Sequence, residues 1–167
     1  MTTEERFIAA SQHRIERSWL RIHHAMSQLS DEDLWWRPNP EMNSAGNLIL
    51  HLAGNLRQWI VSGVGGSKDV RKRQAEFDER GPVSRAELSR RLEEVKADMD
   101  STWKDFDPSR LNEAVRIQGF DLTYLDAIYG ALTHLEGHTG QLVYIARMRA
   151  GERYELFWKP ESPEQVS

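Results

Sequence analysis

Ile8, Ile15, Ile22 and Leu29 recur every seven residues near the start of the chain, with Ser11, Trp19 and Met26 interleaved between them. Seven residues are close to two turns of an α-helix, so these side chains draw one stripe down a single long rod. A rod with one apolar face needs other rods to cover it. The spacing predicts a helix from Thr3 to Leu29, with Thr3 as its cap and Glu4 and Glu5 against the positive end of its dipole. Arg14, Arg17, Arg21 and His24 fall largely on the other faces.

Three more segments show helical periodicity. Ser30-Asp31-Glu32-Asp33 caps a short turn ending at Leu34-Trp35-Trp36, and Arg37-Pro38-Asn39-Pro40 stops it. Asn43 or Ser44 opens a second helix, placed at Ser44 to Ser62, whose inward stripe is Leu48, Leu52, Asn55 and Trp59, with His51 at its edge. Gly63, Gly65 and Gly66 end it. The charged stretch from Ser67 to Pro82 mixes Lys68, Arg71, Lys72 and Arg73 with Asp69, Glu76, Asp78 and Glu79, and reads as a solvated crossover with room for one short helical piece, in preference to a ligand-binding basic patch. Ser84 with Glu87 forms a capping box for a third helix to about Lys104, carrying Leu88, Leu92, Val95, Met99 and Trp103. Leu111 to Gly119 reads as extended or irregular. Asp121 or Thr123 caps a fourth helix that runs to Ala150 and stops at Gly151. Leu156-Phe157-Trp158 is expected to tuck against the body, ahead of a proline-rich polar end expected to fray.

The expected fold is therefore all-α: a four-helix bundle with a long connection between helices 2 and 3, as one domain over residues 1–167. Absence of cysteine excludes disulfides, thiolate metal sites and a cysteine nucleophile, so any metal must be held by His, Asp or Glu. The net charge of −4 speaks against nucleic acid as a partner. No apolar run approaches the roughly 20 residues of a membrane span. The first residues have no secretory pattern, and a cytoplasmic location is expected.

His134 and His138 lie one turn apart on one face of the fourth helix, so both rings can address one point. Gly130, Gly137 and Gly140 interrupt that helix at about 1 kcal/mol each relative to alanine, which points to a backbone or ligand in close approach. With His51 the pair would give three nitrogens from two helices and leave a coordination position open. On spacing alone, an equal reading is that of boundary histidines hydrogen-bonded to neighbouring helices. His13, His23 and His24 read as surface or boundary residues. Glu136 sits two residues from each histidine, on the far side of the helix, whereas metalloprotease helices place Glu directly beside a ligand. It is no general base, and a metalloprotease is excluded.

Leu34-Trp35-Trp36-Arg37-Pro38, the stretch Asn43 to Asn55 with its Asn47-xxx-His51-Leu52-x-Gly54-Asn55 pattern, and His134-xxx-His138-Thr139-Gly140-Gln141 together resemble the DinB/YfiT-like superfamily. The resemblance covers nearly the whole chain. It implies a four-helix bundle, commonly a homodimer, with a divalent metal, often nickel or zinc, on His51, His134 and His138. Relatives in that superfamily include thiol-dependent transferases and isomerases that use mycothiol or bacillithiol, and metal-dependent hydrolases. The expected function is metal-dependent activation of water or a small-molecule thiol for a small-molecule substrate. Asn55 and Gln141, each a turn beyond a ligand, are candidates to orient that substrate. The alternative is a non-catalytic bundle that a metal stabilises or that only binds a ligand, with His23 as the best candidate for a fourth ligand closing a structural site.

Overall fold

The structure, a computed structural model, describes residues 1–159. Four long helices form the bundle: α1 (Thr3–Ser27), α3 (Ala45–Leu56), α5 (Arg85–Asp105) and α6 (Tyr124–Ala150). Two short helices, α2 (Asp31–Trp35) and α4 (Arg73–Asp78), lie in the connections. Helix α1 packs on α6, and α3 packs on both α5 and α6. The seven-residue stripe of α1 is buried as its spacing requires, with Ile22 and Met26 almost wholly covered. Leu52, Leu88, Leu92, Met99, Leu135 and Leu142 meet it from the other helices. No helix of the described residues is long and apolar enough to cross a membrane.

The caps follow the local chemistry. Thr2, rather than Thr3, accepts from the Glu5 backbone at the start of α1, because Glu5 can then reach back to complete a capping box. Ser44 and Thr123 close similar boxes with Asn47 and Asp126, and Ser84 caps α5. Asp121, the other candidate cap for α6, lies instead in a strand.

Two elements were not anticipated. Helix α3 continues without a break into a π-helical stretch, Arg57–Val64, in which the Gly65 N–H reaches back five residues to the Ile60 carbonyl at 2.9 Å. The segment expected to be extended or irregular is extended, and it pairs with the residues that follow as an antiparallel hairpin, β1 (Ala114–Ile117) with β2 (Phe120–Thr123). Its two-residue turn, Gln118-Gly119, has φ of 53° and 86°, the left-handed pair that matches the twist of a tight hairpin.

Of the apolar triplet after α6, Phe157 packs edge-on against His24 at 5.5 Å, while Leu156 and Trp158 are exposed. The polar end expected to fray, residues 160–167, lies outside the described residues.

Candidate metal centre

Helix α3 supplies one imidazole and α6 two. His51 is buried at 4% exposure, and His134 and His138 are half-buried. Their Nε2 atoms converge: His51 to His134 at 3.1 Å and His138 to His134 at 3.2 Å. One ligand atom from each lies within 4.8 Å of the others, and this trio is the one such cluster among the described residues.

The outer nitrogens determine what the inner ones can do. The Glu76 carboxylate, which can only accept, lies 3.0 Å from His51 Nδ1, so that nitrogen carries the proton and donates. Arg71 Nη2, which carries two protons, also stands 3.1 Å from His51 Nδ1 while it donates to Glu76 Oε2 at 2.8 Å; the Nδ1–H tautomer is the one that satisfies the carboxylate beside it. On α6, His138 Nδ1 donates to Gln141 Oε1 at 2.7 Å. Both Nε2 atoms are therefore bare lone pairs aimed at His134. A neutral His134 has one proton to offer two lone pairs, and its own Nδ1 is buried without a partner. Hydrogen bonding alone cannot satisfy this set. A divalent cation can, since it accepts a lone pair from each ring, and nitrogens around a tetrahedral ion with bonds of about 2.0–2.1 Å stand about 3.3 Å apart. The residues fit a metal.

Protonation of His134 does not compete at neutral pH. Burial foremost, then the proximity of His138 and His51, lowers the pKa of His134 to about 4. Burial lowers His138 as well, partly offset by its bond to Gln141. Glu76 is pushed up by burial, but hydrogen bonds from Arg71 and His51 outweigh that and hold it below the ordinary carboxylate value.

The connection between α3 and α5 is where the sequence reading needs correcting. It is not simply solvated. Arg71 and Glu76 are buried there as side chains, at 3% and 11% exposure, paired through Nε–Oε1 at 2.7 Å and braced by Gln58, which accepts from Arg71 Nη1. Asn47 holds the strap in place by donating to the backbone carbonyls of Glu76 and Glu79. The interleaving of opposite charges, which reads as solvation, here encodes an internal ion pair. One signal was available: Gly54, a helix-interior glycine three residues after His51, where a Cβ would collide with Glu76 Oε1.

Two of the α6 glycines mark no close approach: Gly137 and Gly140 are exposed, and a Cβ at each would meet nothing within 4 Å. Gly130, with equally open space at its Cα, borders the cavity beside His51 and His134. Glu136 lies away from the cluster, accepting from Ser18 at 2.7 Å and Arg21 at 3.1 Å. His23 Nε2 lies 3.0 Å from Glu93 Oε1 without a hydrogen bond to it, and His23 does not join the three histidines. Of the two residues expected to orient a substrate, Gln141 is engaged on His138, whereas Asn55 borders a cavity shared with His51 and His134, with its Oδ1 unpartnered.

Two solved structures share this architecture. A conserved protein from Enterococcus faecalis superposes with a TM-score of 0.73 at 18% identity, covering 91% of this chain and 99% of its own. A DinB-like protein from Bacillus cereus superposes with a TM-score of 0.65 at 15% identity, covering 88% and 97%. At such identities the likeness concerns the fold, which is the DinB-like bundle that the sequence motifs implied. No curated protein matches the chain. A family model described as "Protein of unknown function (DUF1572)" matches residues 2–162, and the chain belongs to that family.

Proposed function

We propose that His51, His134 and His138 hold a divalent metal with one side open, and that the protein is an enzyme activating water or a small-molecule thiol, as a hydrolase or an S-transferase. The observation that carries this reading is the set of three converging ring nitrogens with too few protons to satisfy one another. When bound, the metal supplies Lewis-acid chemistry that makes water or a thiol entering its open side nucleophilic near neutral pH.

The chain's own residues prepare that chemistry. Three neutral imidazoles leave the ion its full charge, and zinc and nickel both suit such ligands. Glu76, itself fixed by Arg71, holds the His51 ring in the tautomer that offers Nε2 inward, and Gln141 does the same for His138. Glu136, committed to Ser18 and Arg21, is not available as a base, so nucleophile activation falls to the metal. A purely structural site is expected to be closed by a fourth protein ligand, and the sequence candidate, His23, is not in the cluster.

The test is transfer of a low-molecular-weight thiol to an electrophile, run beside ester hydrolysis, with and without chelator. Turnover that disappears with chelator and returns with zinc or nickel is expected. Metal-loaded protein that turns over neither substrate class, while losing thermal stability on chelation, would favour the non-catalytic bundle.

A further inference from the structure

We propose that the cavity on the open side of the three imidazoles is a subsite for a small organic carboxylate with a flat apolar body, anchored by Arg73 and Asn55 against Trp59. The proposal rests on the metal reading above and adds the chemical class of the substrate. The cavity has a volume of about 290 Å³ and is lined by His51 and His134, so a molecule seated in it lies beside two of the three imidazoles. That volume suits a small molecule rather than a polymer, since small-molecule sites start at about 300 Å³.

Charge sets the first requirement. Arg71 borders the cavity, but its charge is spent on Glu76. Arg73 also borders it, with its guanidinium stacked on the Phe77 ring at 4.9 Å and no carboxylate pairing with it among the described residues. The wall is net positive before any ion binds, and a divalent metal makes it more so. An anion is attracted, and a cation is repelled.

Asn55 sets the second. It is 7% exposed, one turn beyond His51 on α3, and its Oδ1 is buried without a partner. That oxygen accepts, and so does a carboxylate, so the contact to a carboxylate falls to the Nδ2 donor of the same side chain. Guanidinium and amide donors together match a planar carboxylate. Trp59, half-buried on the π-helical stretch, offers a flat apolar wall, and Gln118 closes the rim from the left-handed hairpin turn.

The experiment uses the full chain loaded with zinc, with metal content measured separately, titrated by calorimetry with benzoate and with its neutral counterpart benzamide. Benzoate is expected to bind at least about tenfold more tightly than benzamide, and Arg73→Gln and Asn55→Leu are each expected to weaken benzoate by about tenfold with metal content unchanged. Arg73 is exposed, so Arg73→Gln carries the test if Asn55→Leu does not fold. Equal binding of the two probes, or benzoate binding indifferent to Arg73→Gln, overturns the subsite. If the protein takes up no zinc, the metal reading fails on that measurement, and dependence of benzoate binding on Arg73 still decides the subsite.

Discussion

Glu76 and Gly54 show how much of the centre depends on residues that never touch the proposed ion. Glu76 fixes the His51 tautomer, and the bare Cα of Gly54 leaves room for the Glu76 carboxylate. Glu76→Gln keeps the shape but loses the charge that makes Nδ1–H the favoured tautomer. Gly54→Ala keeps the charge but displaces it. Both are expected to weaken zinc binding by about 10–100-fold, read by competition with a chromogenic chelator. Unchanged affinity in both variants would remove Glu76 from the site. The pH dependence follows from His134, whose pKa falls from 6.5 to about 4 in the folded chain. Between those values the unfolded chain binds a proton that the folded chain refuses. Stability of the metal-free protein is therefore full above about 6.5 and is lost progressively as pH falls toward about 4. Denaturant melts across that window are expected to show this slope, and His134→Leu is expected to flatten it.

At the level of elements, α6 carries two of the three histidines, and its exposed face is freer to vary than its sequence implies. Gly137 and Gly140 look outward into open space. Gly137→Ala and Gly140→Ala are each expected to stabilise the protein by about 1 kcal/mol through helix propensity, read as a rise in melting temperature with metal content unchanged. A fall in melting temperature would mean that this face is covered by something else in solution. The long helices were legible because their apolar residues repeat at helical spacing and because Ser44, Ser84 and Thr123 are good caps. The π-helical continuation of α3 was missed, although its buried residues Leu52, Leu56, Ile60 and Val64 recur every four positions, wider than the α-helical 3.6. The pairing of the hairpin was hidden because each strand is only four residues long and half exposed.

Across the whole molecule, three elements distant in sequence meet at one point: α3 with His51, the strap through α4 with Glu76, and α6 with His134 and His138. The histidines could be nominated from spacing because i,i+4 geometry is local. Their convergence with His51, and the burial of Arg71 and Glu76 behind it, depend on how α3, α4 and α6 pack, which no single window of sequence contains. An ion on those nitrogens would tie α3 to α6 and, through Glu76, to the strap, so it should stabilise the folded chain by an amount that grows with its free concentration over its dissociation constant, about 2.7 kcal/mol at a hundredfold excess. The most direct measurement is metal content by mass spectrometry of the purified protein, wild type beside His51→Ala, His134→Ala and His138→Ala, after equilibration with zinc or nickel and desalting. One ion per chain in the wild type, and a large loss in each variant, is the predicted result. A wild type that retains no metal, or variants that retain as much as the wild type, would contradict a three-histidine centre.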